Sequence, residues 1–327
     1  MATFIEVCAG AGGLGTGFIE AGYRPLLLND IDAKCCETLR INHPGIPVLC
    51  QDMTSIHLDE YNGNVDVLMG GVPCQSFSHA GERRGLEDPR GQLILDFNRL
   101  VAECNPKVLL VENVKGLTTH NGGQTLASVL ELFANNGRYR MHHKVLNANH
   151  YGVPQKRERI IIIGIRSDIA VPFEYPAPHD YKPVLRDVLT DVPPSPGASY
   201  PEAKRRVFDL VPPGGCWVDL PEEIQRSYMG ASFHSGGGKR GIARRMSMDE
   251  PCLTLTTSPC QKQTDRCHPS ESRPFTVREY ARIQTFPDEY IFAGSTNSQY
   301  RQIGNAVPVK LAYAVATQLQ PVVQTES

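Results

Sequence analysis

No apolar stretch of this chain approaches the roughly 20 residues that a membrane-spanning helix needs. The opening MATFIEVCAG has neither the basic start nor the long apolar segment of a secretory leader. An intracellular, soluble protein is expected, with its ten cysteines reduced rather than paired. An excess of one charge is missing too: 33 Lys and Arg face 35 Asp and Glu, so net charge by itself announces no polyanionic partner. Short chelating turns are also lacking. Cys252, Cys260 and the adjacent Cys267–His268 pair are separated by seven and six residues, unlike the close pairs of structural zinc sites, and no metal is expected. No internal repeat is found.

What is present falls into two textures. The length of 327 residues suits one large α/β domain or a large domain with a smaller one. The first half alternates β-branched or leucine-rich runs with amphipathic stretches, as repeated βα units do. Strands are expected at Thr3 to Cys8, Pro25 to Asn29, Pro47 to Cys50, Val65 to Met69, Val108 to Glu112 and Arg159 to Ile165. Helices are expected at Ala33 to Ile41, capped by Asp32, at Gln92 to Cys104 and at Gln124 to Asn135. This predicts a doubly wound, Rossmann-like sheet, which binds ligands beyond the carboxyl ends of its strands. From about Pro172 to Pro221 the chain turns proline-rich, and residues 230–272 are rich in glycine, serine, threonine and basic residues. Val309 to Leu319 returns to an amphipathic helix. Charge follows the same division: residues 1–66 hold nine acidic and three basic side chains, residues 230–278 eight basic and four acidic. A local basic patch on a near-neutral chain is the footprint of one face meeting a polyanion.

FIEVCAGAGGLGTGF sets Gly10, Gly12 and Gly15 in the G-x-G-x-x-G spacing between a strand and a helix, which permits a tight turn and close approach of backbone to a ligand. Asp30 and Asp32 follow the second strand, where a carboxylate can hold ribose hydroxyls. Asp52, after the third strand, suits the exocyclic amine of adenine or a plain turn. The loop alone fits a nicotinamide dinucleotide and S-adenosylmethionine equally well.

A third group of residues separates these alternatives. Met69 to Gly81 reads MGGVPCQSFSHAG, and a cysteine held between Pro73 and Gln75 is presented as a reactive thiol rather than packed as a small hydrophobe. Glu112 closes a strongly apolar strand, where loss of water favours a carboxyl that keeps its proton. Arg157 and Arg159 precede the next strand. Hydride transfer has no use for this set. Methylation of carbon 5 of cytosine does: a thiolate adds at carbon 6 while an acid engages ring nitrogen 3, and carbon 5 becomes nucleophilic enough to take a sulfonium methyl. A nearby arginine would lower the thiol's pKa.

VPCQSFS, VENVKG, GVPQKRERIIIIG, RPFTVREYARIQTFP and QYRQIGNAVPVKLA resemble, in order, the motifs of DNA (cytosine-5) methyltransferases, in particular bacterial type II restriction–modification enzymes. They span almost the whole chain except roughly residues 172–230. The resemblance implies that Cys74 is the nucleophile on a loop closing over a flipped base, that Glu112 contacts the cytosine, and that Arg157 and Arg159 hold the ring and the Cys74 loop. It implies an S-adenosylmethionine pocket lined by Gly10, Ala11, Gly12, Asp30, Ile31, Asp52, Met53, Pro73, Leu93 and Asn305. Two positions depart from the family pattern. Glu6-Val7-Cys8 stands where Asp-x-Phe is common, and Val72 where proline or phenylalanine often precedes the Pro-Cys pair.

The duplex around an extruded base must be held. Phe233 to Pro269 offers Lys239, Arg240, Arg244 and Arg245 for phosphates, and Gln261, Lys262, Gln263 and Arg266 for base edges. Thr254 and Leu255 match a Thr-Leu signature of the family's target-recognition regions. The expected organisation is a catalytic and cofactor-binding domain over residues 1–177, a smaller, irregular target-recognition domain with hinge over 178–296, and a segment over 297–327 that rejoins the catalytic domain. The resemblance further implies a monomer in the bacterial cytoplasm that acts on duplex DNA, with a cognate restriction endonuclease acting separately. Two rival readings are a tRNA cytosine-5 methyltransferase, whose branch carries Cys-Phe-Thr where this chain has Cys252-Leu253-Thr254, and a noncatalytic DNA-binding regulator of the same fold.

Overall fold

A computed structural model describes residues 1–73, 89–234 and 240–324. The strands in chain order are β1 (Thr3–Val7), β2 (Arg24–Asp30), β3 (Val48–Cys50), β4 (Val67–Gly70), β5 (Val108–Val114), β6 (Tyr139–Asn147), β7 (Gln155–Lys156), β8 (Glu158–Arg166) and β9 (Cys252–Leu253). The helices are α1 (Gly13–Glu20), α2 (Ala33–Asn42), α3 (Pro89–Cys104), α4 (Gln124–Ala134), α5 (Glu202–Asp209), α6 (Glu222–Met229), α7 (Val277–Ile283), α8 (Thr296–Asn305) and α9 (Val309–Val323). Among the described residues no helix is long and apolar enough to cross a membrane.

The chain forms two compact units: Met1–Tyr151, Glu158–Pro178 and Ala306–Ser327 in the first, Gly152–Arg157 and His179–Asn305 in the second. The middle segment of the first unit ends at Pro178 and its last begins at Ala306, and the short segment Gly152–Arg157 before β8 belongs to the second unit.

The first unit is a seven-stranded sheet in the order β3-β2-β1-β4-β5-β8-β6. β1 to β5 run parallel, and β8 lies antiparallel between β5 and β6. Continuous runs explain the central position of β5 and β8. Val108 to Val111 and Ile160 to Ile163 are buried along their whole length, as strands covered on both faces must be, and each such side chain contributes about 1.5–3 kcal/mol of apolar burial. Asp32 caps α2 as expected, its Oδ1 accepting from the Lys34 and Cys35 amides at 2.8 and 3.4 Å. The end of the chain closes the unit. A Cβ on Gly17 of α1 would stand 2.5 Å from the Val309 carbonyl and from Ala312 Cβ of α9, so only glycine lets these helices pack this closely.

The second unit contains the two-stranded parallel sheet β7–β9 and a small core of Tyr200, Phe208, Val211, Leu220, Met229, Ile242, Ala243 and Cys267. Buried Asp265 is paired with Lys204 and accepts from the Ala243 amide at 3.1 Å. α7 starts with a reciprocal cap: Thr276 Oγ1 accepts from the Glu279 amide at 3.3 Å, and Glu279 accepts from the Thr276 amide at 2.7 Å.

Candidate active site

Chain order in the first sheet reverses between β1 and β4, the place where an open α/β sheet leaves a crevice at the carboxyl ends of its strands. β1 runs into the glycine turn there. Gly10 and Gly12 have φ of +57° and +76°, a backbone state that costs other residues energy. The Gly10 amide donates to Asp30 Oδ2 at 2.7 Å, and Asp30 Oδ1 accepts from the Asp32 amide at 2.8 Å, so one carboxylate ties the turn after β1 to the end of β2. Among the described residues, and apart from its chain neighbours, no heavy atom lies within 4 Å of where a Cβ on Gly10 would be. Ile31, just past the end of β2, is 68 % exposed. Asp52 is exposed and its Oδ1 accepts from the Thr54 amide at 2.9 Å, the turn role. Met53 is buried and Leu93 packs against the same core.

Beneath the turn lies Glu6, 2 % exposed. Its carboxyl accepts from the Gly15 amide at the start of α1, and burial, reinforced by Asp30, raises its pKa to about 8. Cys8, at φ +51°, follows it. Burial first, and then the charges of Asp30, Asp52 and Glu6, push its thiol up to about 12, so it stays protonated and unreactive.

Glu112 is set by register. Val114 of β5 pairs with Arg159 of β8, and Glu112, two residues back on the same face, reaches that guanidinium with Oε1 2.9 Å from Nε. The side chains are only 11 % and 15 % exposed. The Arg159 guanidinium thus sits against a carboxyl group that has little contact with water. Oε2 lies over Gly71, 3.6 Å from where a Cβ would stand there. Next along β5, Asn113 donates from Nδ2 to the Val72 carbonyl at 2.7 Å. β5 therefore supplies both a carboxyl group and a clasp on the chain just before Pro73. The sequence places Asn113 in the VENVKG motif without giving it a role, and nothing local names Val72 as its partner. Pro73 is exposed. Cys74 lies outside the described residues, as does Lys239.

Arg157 is fully buried in the second unit. Nη1 donates to the Leu255 carbonyl at 3.2 Å, and Nη2 to the Gly304 and Asn305 carbonyls at 3.0 and 3.4 Å. It joins β9's downstream segment to the end of α8, where Asn305 is exposed.

The basic stretch divides into surface and interior. Arg240, Gln261, Lys262 and Gln263 are exposed, and Arg244 is half-buried. Arg245 and Arg266 require a correction, since each is 5 % exposed. Arg245 donates to the carbonyls of Val211, His268, Pro269 and Phe208 and to Ser272 Oγ. Arg266 donates to those of Thr254 and Asp265. Both guanidiniums are used to satisfy loop carbonyls that secondary structure leaves over, not to meet phosphates or bases. Leu255 is buried, and Thr254 Oγ1 donates to the Lys156 carbonyl at 2.7 Å, so both hold the fold of this region.

Known proteins match this arrangement. Residues 2–321 fit the model of the C-5 cytosine-specific DNA methylase family. The Type II methyltransferase M.Eco47II of Escherichia coli is 51 % identical over 322 residues, 96 % of this chain and 77 % of that protein. M.Sau96I of Staphylococcus aureus is 53 % identical over 321 residues, covering 96 % and 74 %. Among solved structures, the Entamoeba histolytica methyltransferase EhMeth superposes with a TM-score of 0.69 at 16 % identity, over 99 % of this chain and 98 % of that one. The S. pombe Dnmt2 methyltransferase gives 0.64 at 19 %, over 98 % and 99 %. These two support the fold. The sequence relationships lead to one conclusion: the chain belongs to the C-5 cytosine-specific DNA methylase family.

Proposed function

We propose that this DNA cytosine-5 methyltransferase works through a transient bond between the Cys74 sulfur and carbon 6 of a cytosine turned out of duplex DNA. The thiolate adds at carbon 6, carbon 5 gains the electron pair and takes a methyl group, and loss of the carbon 5 proton to a base expels the thiolate. Glu112 engages ring nitrogen 3, and Arg159 holds its carboxyl in place. The observation that carries this reading is the end of β5, where a buried carboxyl group and the Asn113 clasp on Val72 converge two residues ahead of Cys74. Extruding the base costs on the order of a few kcal/mol.

S-adenosylmethionine, when bound, supplies the electrophilic methyl group. The residues present fit it: the open space over Gly10, the Asp30 carboxylate beside it and the bare face of Ile31 suit a nucleoside, with Ala11, Gly12, Asp52, Met53, Pro73 and Leu93 completing the pocket. Arg240 and Lys262 meet phosphates, Arg244 assists, and Gln261 and Gln263 read base edges. The names of the Type II relatives support a modification role; a separately acting endonuclease, a monomeric state and a bacterial cytoplasmic setting complete the proposal.

Radiolabelled methyl incorporation into duplex DNA and into tRNA, followed by bisulfite sequencing of the DNA, tests this. Label at one position of one short DNA sequence is expected. Label in tRNA alone would overturn it.

A further inference from the structure

Two thiols outside the proposed reaction sit against the proposed cofactor site. Cys36 is on α2, buried, with Sγ donating to the Asp30 carbonyl at 3.2 Å. Cys50 ends β3, is exposed, and is the register partner of that same Asp30 on β2. The Cys50 thiol adds to the rise that burial gives the Cys36 pKa, as a close neighbour does. Both cysteines are free, on separate elements, and joined through the residue whose carboxylate holds the Gly10 turn. The Asp30 carbonyl also accepts from the Gln51 amide at 3.2 Å, one residue before Asp52.

We propose that Cys36 and Cys50 form a reversible disulfide that weakens binding of the methyl donor at Asp30, a function that rests on the cofactor placement above. The oxidant is a low-molecular-weight disulfide such as oxidised glutathione. Exposed Cys50, as thiolate, attacks one glutathione sulfur and releases the other glutathione. Cys36, on losing its proton, attacks Cys50 Sγ of the mixed disulfide and releases the second glutathione. Two electrons pass from the protein sulfurs to the glutathione pair, and the two thiol protons end on it. Burial pushes the Cys36 thiol up to about 12, which leaves Cys50 to react first. Closing the bond removes the S–H donor from the Asp30 carbonyl and draws α2 against the end of β3, so the Asp30 and Asp52 carboxylates no longer sit as the reduced protein holds them.

Linkage makes the effect reciprocal: a donor that binds the oxidised form more weakly opposes oxidation by the same factor. The test uses the full chain carrying Cys74→Ala, which removes the proposed nucleophile's thiol, equilibrated in glutathione buffers of graded ratio. Alkylation and peptide mapping read the cross-link, and calorimetry with S-adenosylmethionine reads affinity. A Cys36–Cys50 peptide is expected at oxidising ratios, with affinity reduced roughly 5-fold or more and recovered on reduction. Added S-adenosylmethionine shifts the midpoint ratio by the same factor. Cys50→Ser, at an exposed position, binds the donor normally and loses both responses; Cys36→Ala repeats the result where it folds. Absence of the cross-linked peptide across the series, or a cross-link that leaves affinity unchanged, overturns the proposal while the cofactor site stands. Failure of the reduced protein to bind the donor instead overturns the cofactor placement, and with it the gating.

Discussion

Asn113 of β5 and Val72, two residues past β4, are joined by a 2.7 Å hydrogen bond from amide nitrogen to carbonyl oxygen, so the residue after Glu112 fixes the chain just ahead of the proposed nucleophile. Asn113→Ala removes this clasp. Because about 1 Å of misplacement at a reacting centre costs on the order of 100-fold, kcat is expected to fall about 10- to 100-fold with donor affinity unchanged. Asn113→Asp sets carboxylate against carbonyl and lowers it further. Steady-state kinetics with donor binding measured separately checks this: parallel loss of donor affinity would point to a general structural role instead.

Arg159 compensates a carboxyl group that has little contact with water. Breaking such a pair from one side costs roughly 3–5 kcal/mol, so Arg159→Met should lower stability by about that amount in a denaturant titration. Adding Glu112→Gln removes the stranded charge and should restore most of the stability without restoring methylation.

The Glu6 carboxyl carries a pH signature. Its pKa in the folded protein, about 8, lies above the usual carboxylate value, so between the two the folded state holds a proton that the unfolded chain has released. Stability therefore falls as pH rises from about 4.5 through 8, with a slope of at most about 1.4 kcal/mol per pH unit. Glu6→Gln keeps an acceptor for the Gly15 amide and cannot ionise. Melting temperatures across this range should converge at the acid end and favour the variant at the alkaline end.

Arg240 and Arg245 are separable although both come from one basic stretch. Arg245→Ala strands several buried carbonyls and is expected to cost about 3 kcal/mol or more of stability. Arg240→Ala leaves stability within roughly 0.5 kcal/mol and lowers the salt dependence of DNA binding by about one counterion. Thermal melts and binding isotherms at graded salt distinguish the two.

The strands of the first half were legible because β1, β2, β4, β5 and β8 are apolar runs bounded by turn residues, and α2 because Asp32 announces it. β6 was not. Tyr139 to Asn147 reads YRMHHKVLN, an edge strand bonded only to β8, and its half-exposed pattern gives no apolar run. α7 had a readable signal in Thr276 and Glu279, spaced as a capping box, that periodicity alone overlooks in seven residues.

The candidate site was legible as residue types at strand ends, not as partnerships. Glu112 meets Arg159 because β8 runs antiparallel in one particular register, which sequence spacing does not encode. Arg245 and Arg266 resemble Arg240 in sequence. What separates them is the set of carbonyls that tertiary folding brings around each, and a list of charges contains no carbonyls.

The sulfur–carbon bond at the heart of the account can be caught directly. A duplex oligonucleotide with 5-fluorocytosine at the target position lacks the proton whose loss frees the enzyme, so incubation with S-adenosylmethionine should yield a complex that survives denaturing electrophoresis and maps to Cys74. It should vanish in Cys74→Ala. No trapped complex at the sequenced target, or one that persists in Cys74→Ala, would contradict it.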